Sequence, residues 1–403
     1  MRGGTVAVVG GSIAGCAFAS AAARGGADEV VVLERTPGGL EDRGVGLCIQ
    51  NDRYAELEAA GHLDGGIAWH RLTRRRWLVK DGSDLGRLMW DQPFPFRSYH
   101  WGLLWSALRE RTPDTVAYRL GATVAGVTAE PGRARVRLES GAGEEYDLVV
   151  GADGYRSVVR DAVCPGVRPH YAGYVCWRGS FPAERLEALG RPAAAWSGTD
   201  AVTVGFPGGH CVLYRIPGPG SDGPVVNWVL FAAPPDTALE LDDPTSVPPG
   251  AVTDELTQHL GLLAEQHLPP YWAGVIALTP AERTFVQPIY DLETPRRATG
   301  RLLLAGDAAT VVRPHATSGA AKALQDAHSF ESAWQQSDSW QDLLAGYESA
   351  RGDVGRALVS LGRRLGRAQV ERTPDWTSMD TRLMTPWWEQ QLDGTGGFGG
   401  HPL

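Results

Sequence analysis

The sequence predicts an α/β fold in which a parallel sheet with helices carries an inserted antiparallel sheet and C-terminal helices. Short continuous apolar runs at residues 5–9, 29–33, 146–150 and 301–305 are typical of strands that are buried on both faces. The middle of the chain instead alternates apolar and polar residues around glycine turns, which is typical of hairpins. The parallel-sheet domain is therefore expected to be split in sequence, with the antiparallel sheet inserted into it.

The first 34 residues predict a parallel β-α-β unit. A strand at 5–9 is followed by a small-residue helix at 12–24, which Gly25 and Gly26 end, and by a second strand at 29–33. The turn VAVVGGSIAG, residues 6–15, resembles the glycine turn of a Rossmann-like nucleotide-binding domain, with Ser12 in place of its middle glycine. Taken alone, an ordinary glycine turn that binds no ligand remains the alternative.

Each residue of this turn has a physical reason for nucleotide binding. Gly10 allows a sharp turn after the strand, and Gly15 allows the helix to pack close to the sheet. The N–H groups at the start of the helix face a pyrophosphate, and the Ser12 hydroxyl is small enough to cap the helix or to donate to a phosphate. Glu34 is placed to accept hydrogen bonds from a ribose diol and disfavours a 2'-phosphate in this slot.

Later elements follow in the order that this architecture needs. The patterns predict a hairpin at 72–90, a helix at 98–111, a half-buried strand at 133–139, a hairpin at 201–216, a strand at 225–232 and a helix from about 319. Pro, Gly and Asp predict loops at 217–224 and 233–250, and the glycine-rich end at 393–403 predicts a mobile tail.

Composition limits the class of protein. The 403 residues carry a net charge of -9 without a block of like charges, which argues against nucleic acid or a membrane surface as partner. The five cysteines are an odd number and widely scattered, and they form no C-x-x-C pair that would suggest a metal site or a redox dithiol. We therefore predict a soluble, cytoplasmic enzyme, monomeric or homodimeric, that needs no metal.

Two further stretches carry a resemblance to a known family. DLVVGADGYRSVVR, residues 147–160, and RLLLAGDAATVVRPHATSG, residues 301–319, each place a glycine turn after a buried strand. With the first turn, they resemble the single-component (class A) FAD-dependent aromatic monooxygenases of the para-hydroxybenzoate hydroxylase type. GGSIAG, GYVCWRG, VNWVLF and GDAATVVRPHATSGAAKA are most similar to the 2,6-dihydroxypyridine 3-hydroxylase branch. The resemblance covers nearly the whole chain.

This resemblance implies a Rossmann-like FAD-binding domain and an antiparallel substrate-binding sheet. The predicted boundaries are 1–71, 98–168 and 280–371 for the discontinuous FAD-binding domain, 72–97 and 169–279 for the substrate domain, and 372–403 for a C-terminal tail. NADH or NADPH would act as a transient cosubstrate. O2 would add to the reduced flavin as a C4a-hydroperoxide, whose distal oxygen would pass to an electron-rich aromatic or heteroaromatic ring.

The implied FAD contacts come from all three turns. Asp307 would bind ribityl or ribose hydroxyls, Arg43 would lie along the cofactor, and Asp153, with Arg156 and Arg160, would brace the domain near the NAD(P)H path. The N-terminus of the helix after Pro314 would face the anionic edge of the reduced flavin. The predicted cofactor-binding residues are Gly10, Gly11, Ser12, Ile13, Ala14, Gly15, Glu34, Arg35, Arg43, Asp153, Gly306, Asp307, Pro314, Gly319 and Ala320.

Catalytic and substrate residues are less determined by the sequence. His315 is a candidate to position substrate or to move a proton, with a structural histidine as the alternative, and His210 and Tyr214 are candidates to take a proton from a substrate hydroxyl. Trp177, Phe206 and Trp228 either line an aromatic substrate pocket or fill the core.

Rival functions keep the same motifs. Many relatives carry other residues where this chain has Thr310 and Lys322, so their contacts to flavin do not carry over. A non-catalytic flavin-binding partner protein is therefore one alternative. The other alternative is a flavin-dependent epoxidase, dehydrogenase or halogenase.

Overall fold

A six-stranded, mostly parallel sheet forms the first layer of the protein. The computed structural model describes residues 3–41, 45–190, 196–220, 223–236, 247, 250–392 and 397–403. The strand order is β16-β17-β10-β1-β2-β6, and only the β16–β17 pair is antiparallel. The strands are β1 (Thr5–Val9), β2 (Glu29–Glu34), β6 (Val116–Leu120), β10 (Leu148–Gly151), β16 (Ala298–Thr299) and β17 (Leu302–Leu304).

Both faces of this sheet are covered, which explains the continuous apolar runs in its strands. On one face lies a core to which five of the described helices contribute: α1 (Ile13–Gly25), α2 (Asn51–Ala59), α3 (Trp101–Glu110), α7 (Gly319–Gln336) and α8 (Trp340–Gly366). The other face packs on α4 (Val158–Val163) and on a small antiparallel sheet of β7 (Val124–Glu130), β8 (Arg133–Leu138) and β9 (Gly143–Tyr146).

A nine-stranded sheet forms the second layer. Its order is β18-β15-β11-β14-β13-β12-β4-β5-β3, and all neighbours are antiparallel except β12 and β4. The strands are β3 (Gly46–Gln50), β4 (His70–Val79), β5 (Arg87–His100), β11 (His170–Pro182), β12 (Asp200–Phe206), β13 (Gly209–Ile216), β14 (Val225–Ala232), β15 (Thr284–Glu293) and β18 (Thr310–Val311). Helix α2 (Asn51–Ala59) follows β3.

The two faces of this sheet have different neighbours. Helices α5 (Asp254–His267) and α6 (Pro270–Ala277) pack on one face, which we call the helix-covered face. The opposite face carries Tyr174, His210 and Phe231 and turns toward the segment that precedes α7; we call it the chamber face. The sheet thereby stands between a hydrophobic core and the region where the predicted catalytic residues meet.

The C-terminal segment is packed, and the prediction of a mobile tail is wrong for its described part. Helix α9 (Thr381–Leu392) sets Trp388 5.7 Å from the Trp77 ring centroid. Beyond it, Gly399 is buried, and its N–H donates to the carbonyl of Ala316 at 2.9 Å. Glycines predict flexibility only where no neighbour holds the backbone, and here the chain fits closely against Phe96.

The predicted α/β fold is confirmed, with local differences. The predicted helix at 98–111 begins only at Trp101, because residues up to His100 extend β5. The inserted sheet is larger than predicted and includes β3 and β15, which the sequence assigns to the FAD-binding domain. None of the helices in the described ranges has the length and apolar character needed to cross a membrane.

Replacing Gly15 by alanine tests the close approach of α1 to the first turn. A Cβ at Gly15 would lie 1.9 Å from the carbonyl oxygen of Gly10, a backbone atom that has no rotamer with which to move away. We expect Gly15→Ala to lower the free energy of unfolding by about 1–3 kcal/mol, measured by urea titration. Gly38→Ala is the matched control, since nothing lies within 4 Å of its Cβ position; equal stability of both variants would contradict the prediction.

Candidate active site

The three predicted turns lie side by side at the carboxyl ends of β1, β10 and β17. These strands are neighbours in the parallel sheet, so the turns that follow them share one edge. A Cβ on Gly10, which has φ +95°, would meet the carbonyl oxygen of Ala152 at 2.5 Å, and a Cβ on Gly306 would meet Ala14 at 2.8 Å. The turns therefore touch and build a single groove.

The first turn presents the start of α1. Ser12 occupies the N-cap position, but its side chain makes no capping hydrogen bond, so its hydroxyl stays available to a ligand. The first-turn N–H groups of α1 have no carbonyl within the helix to donate to, as at every helix start. This end of α1 suits a phosphate, as the sequence predicts.

Glu34 braces this turn from inside. Its carboxylate is buried and accepts hydrogen bonds from the N–H of Gly11 at 2.8 Å and of Thr36 at 2.8 Å. Each carboxylate oxygen keeps a second lone pair, so the predicted ribose contact is compatible with this arrangement. Arg35 is exposed, and Arg43 lies outside the described residues.

Sequence reasoning missed the side chains that hold the carbonyl of Gly11. The indole N–H of Trp105 donates to this oxygen at 2.8 Å, and the hydroxyl of Tyr118 also donates to it. The thiol of Cys16 makes a longer contact of 3.5 Å, and burial raises its pKa to about 11, which keeps it neutral. Their spacing in the sequence carries no signal, because three separate elements bring them together.

The second turn is built around Asp153. Its Oδ2 accepts from the N–H groups of Val158 at 2.8 Å and Val159 at 3.3 Å, at the start of α4. Its Oδ1 is buried without a hydrogen-bond partner in the described chain, and burial raises the pKa of this carboxyl. Arg160 is buried and donates to backbone carbonyls, whereas Arg156 is exposed.

The third turn presents Asp307 to the groove. Its side chain is accessible to solvent and makes no hydrogen bond with other residues in the described ranges. The surrounding protein nevertheless limits its hydration, which raises the pKa of the Asp307 carboxyl despite the nearby ammonium of Lys322. That ammonium donates to the carbonyl of Gly306 at 3.0 Å and to Asp326 at 2.8 Å, so it positions the turn from below.

The segment after β18 delivers the start of α7 to the same groove. Pro314 and Gly319 are exposed and Ala320 is half-buried, while the Ser318 hydroxyl is buried without a partner in the described chain. Thr317 has φ +53°, a left-handed conformation that costs a β-branched residue energy and that turns the chain into the helix. The N-terminus of α7 and its partial positive charge thus face open space.

These observations fit FAD. Open backbone donors at α1 match a pyrophosphate, the unpaired Asp307 carboxylate matches ribityl or ribose hydroxyls, and the α7 N-terminus matches an anionic ring edge. The orphaned Oδ1 of Asp153 and the Ser318 hydroxyl are further buried polar atoms that a ligand or water can satisfy.

On the chamber face, the three predicted catalytic residues come from two distant parts of the chain. The His315 and His210 ring centroids are 5.2 Å apart, and Phe231 lies against both. Nε2 of His315 shares a 2.8 Å hydrogen bond with the hydroxyl of Tyr174, and its Nδ1 is buried without a partner in the described chain. Tyr214 is also buried and lies on β13, four residues after His210.

Burial keeps these groups neutral. It lowers the pKa of His210 to about 3 and that of His315 well below its ordinary range, with Arg75 adding to both effects. Burial also raises the pKa of Tyr214 well above its ordinary range. Nδ1 of His210 lies 3.2 Å from the Gln369 carbonyl, which fixes the proton there and leaves Nε2 as an acceptor.

Trp177, Phe206 and Trp228 lie on the helix-covered face of the sheet. All three are buried in the core with α5 and α6, away from His210 and His315. The structure thus corresponds to the alternative in which they fill the core, and they do not line the chamber.

Asp307→Asn tests the groove through FAD binding. An amide accepts weaker hydrogen bonds than a carboxylate, so we expect the FAD dissociation constant at neutral pH to rise about tenfold to a hundredfold. When the pH is lowered, the Asp307 carboxylate becomes protonated and the FAD affinity of wild type falls. Because the pKa of Asp307 is raised, this fall should begin at a higher pH than it would for an ordinary aspartate, while the FAD affinity of the variant should not change in this range. Fluorescence titration measures both, with the exposed Asp161→Asn as control; identical pH profiles of wild type and D307N contradict the assignment.

The neutral histidines predict acid-sensitive stability. His62, which follows α2, is a second buried histidine whose pKa burial lowers to about 3. Between pH 6.5 and about 3 the unfolded chain binds a proton at His210 and at His62 that the folded chain excludes, so the free energy of unfolding falls as the pH falls. The loss between pH 7 and pH 5 is about 2 kcal/mol for each such imidazole. His210→Gln should remove about 2 kcal/mol of this loss, measured by urea titration at both pH values, with a substitution of the exposed His170 by glutamine as the control. An unchanged pH slope in H210Q contradicts this.

Comparisons with known proteins agree with this geometry. The family described as FAD binding domain matches residues 282–361. The chain is 29% identical over 374 residues to the 2,6-dihydroxypyridine 3-monooxygenase of Paenarthrobacter nicotinovorans, covering 89% of this chain and 90% of that protein. It is 30% identical over 383 residues to the 3-hydroxy-4-methyl-anthranilyl-[aryl-carrier protein] 5-monooxygenase of Streptosporangium sibiricum, covering 92% and 90%.

A solved structure shows the same fold. The 2,6-dihydroxypyridine-3-hydroxylase of Arthrobacter nicotinovorans superimposes with a TM-score of 0.80 at 24% identity, covering 94% of this chain and 96% of the other. The FAD groove, the nine-stranded sheet and the full-length similarity lead to one conclusion. This chain belongs to the single-component FAD-dependent aromatic monooxygenases of the para-hydroxybenzoate hydroxylase fold.

Proposed function

We propose that this protein hydroxylates an electron-rich aromatic or heteroaromatic small molecule with NAD(P)H and O2. One oxygen atom of O2 is inserted into a ring C–H bond, which gives a hydroxyl group. The other oxygen atom leaves as water, formed with the hydride that NAD(P)H gives up and one proton from solvent, and NAD(P)+ is the second product. The observation that carries the proposal is the position of His315. Its Nδ1 is buried without a partner in the described chain, and His315 precedes the N-terminus of α7 by four residues.

The bound FAD supplies the redox chemistry, namely uptake of hydride and activation of O2. The residues that hold it in this proposal are those of the groove: the α1 start with Gly10, Ser12 and Gly15, the carboxylates of Glu34 and Asp307, and the α7 start at Gly319 and Ala320. The helix terminus stabilises negative charge on the ring system, which a neutral loop does not do.

His315 acts as a hydrogen-bond donor in this mechanism. Arg313 donates toward the hydroxyl of Tyr174 at 3.5 Å, so that hydroxyl donates in turn to Nε2 of His315. The proton of the neutral imidazole is then on Nδ1, which is free to donate to an oxygen of the substrate. Because the imidazole is neutral, it can orient the substrate ring without placing a charge beside it.

His210 acts as an acceptor and not as a general base. With a pKa of about 3 its imidazole cannot hold a second proton at neutral pH, but its Nε2 can accept a hydrogen bond from a ring hydroxyl and make that ring richer in electrons. Tyr214 stays neutral for the same reason and can donate or accept through its hydroxyl. The likeness to a 2,6-dihydroxypyridine 3-monooxygenase supports a hydroxylated ring as substrate.

Isotope labelling tests the reaction. The FAD-loaded protein is incubated under 18-oxygen gas with NADH or NADPH and a panel of phenols, hydroxypyridines and aminophenols. We expect NAD(P)H-dependent product that carries one labelled oxygen atom. Flavin that cycles without label in the product identifies a dehydrogenase or halogenase, and flavin that stays oxidised with every compound and both nucleotides identifies a binding protein.

His315→Asn tests the donor. The shorter amide cannot reach both Tyr174 and the substrate, so we expect kcat/KM to fall about tenfold to a hundredfold while the FAD content stays full. The exposed His170→Asn is the control and should behave as wild type. A variant with full kcat/KM contradicts the assigned role of His315.

A further inference from the structure

The glycine-rich segment at residues 397–403 is anchored beside the start of α7. The N–H of Gly399 donates to the carbonyl of Ala316 at 2.9 Å, in the segment that leads into the helix. On α7 itself, the side-chain amide of Gln325 donates to the carbonyl of His401. The backbone of the segment is thus held at two points next to the proposed site of the flavin ring.

The glycines of this segment let its backbone enter a narrow slot. A Cβ on Gly399, which has φ +82°, would lie 2.9 Å from the ring of Phe96. A Cβ on Gly400, which has φ +117°, would lie 3.4 Å from the Cβ of Ala321. Both φ values lie in the range that favours glycine. The sequence GFGG therefore brings a single large side chain, that of Phe398, into the slot.

Phe398 packs against residues of the chamber face. Its ring centroid lies 5.8 Å from that of Phe96 and 6.3 Å from that of Phe94, both on β5, and 5.2 Å from that of Trp388 on α9. The apolar cluster that contains the two β5 rings also contains Tyr214 of β13. An even number of residues separates Tyr214 from His210 on that strand, so both side chains point to the same face of the sheet.

Two side chains of this cluster are not fully packed. Phe398 is half-buried, although the backbone next to it at Gly399 is buried. Val212 is also half-buried in the middle of the sheet, although its chain neighbours Cys211 and Leu213 are completely buried. Both belong to the same apolar cluster and leave part of their surface without a packed neighbour. That surface is available to an apolar ligand.

We propose that Phe398 is a specificity-determining residue, whose ring limits the size of the aromatic system that the chamber, the space in front of the chamber face, admits. The inference rests on the proposed function, because it assumes that the substrate ring binds there. Phe96 and Trp388 hold the ring of Phe398 from two sides, so it has little freedom to move aside for a larger ligand. The hydrogen bond from Gly399 fixes the backbone beside it.

Binding of phenol and 2-naphthol, which differ by one fused ring, tests the proposal without turnover. Calorimetric titration of the FAD-loaded protein measures both dissociation constants. In Phe398→Ala the freed space should accept the second ring, so we expect the ratio of the phenol constant to the 2-naphthol constant to rise at least about tenfold. In Phe398→Trp a larger ring fills the space, and the same ratio should fall about as much.

Leu403→Ala is the matched control, because it removes an apolar side chain from the same segment at a position that is 46% exposed. It should keep the wild-type ratio. A side chain that only supports the fold changes both constants together, so an unchanged ratio in Phe398→Ala overturns the proposal. A wild-type protein that binds neither compound also overturns it. If Phe398→Ala does not fold, Phe398→Leu replaces it, and a ratio equal to that of wild type is then the contradicting result.

Turnover separates this inference from the proposed function. Incorporation of labelled oxygen into phenol and into 2-naphthol is compared between wild type and Phe398→Ala. Labelled products with the same ratio of kcat/KM values in both proteins overturn the role of Phe398, while the monooxygenase function stands. A binding ratio that depends on Phe398, without oxygen transfer to any ring, supports the assigned chamber wall and overturns the proposed function.

Discussion

The buried carboxylate of Asp326 is the interaction on which the cofactor groove depends. It accepts hydrogen bonds from Lys322, Arg351 and the N–H of Gly306, and thereby ties α7, α8 and the third turn together. Burial alone raises the pKa of such a carboxyl, but the two cations outweigh it and the pKa is lowered. With the N–H of Gly306 held in this way, the neighbouring Asp307 stays exposed and has no hydrogen-bond partner among the described residues.

A strained turn links this groove to the chamber. Thr317 adopts a left-handed conformation, and such strain persists only where the surroundings determine the backbone. Here His315 on one side is held by Tyr174, α7 starts on the other, and the tail donates from Gly399 to Ala316. The same few residues therefore set both the helix terminus for the cofactor and the imidazole for the substrate.

The chamber face combines neutral polar groups with the buried cation of Arg75, which has no acidic partner among the described residues. Burial removes the charge from both imidazoles and keeps the tyrosines protonated, so they supply hydrogen bonds of defined direction without titrating near neutral pH. Arg75 retains its charge in the same surroundings. This division fits the proposed function, in which the cofactor does the redox chemistry and the neutral groups orient the ring.

By itself, the sequence determined the α/β architecture and the three turns, because buried strands and glycine turns leave local signals in residue spacing. It could not place Trp177 or Trp228, since alternation separates the two faces of a strand but does not tell which face α5 and α6 cover. Nor could it show that Arg75 has no acidic partner among the described residues or that the described part of the glycine-rich end is packed. Those facts depend on contacts between residues far apart in the chain, and only the tertiary structure decides them.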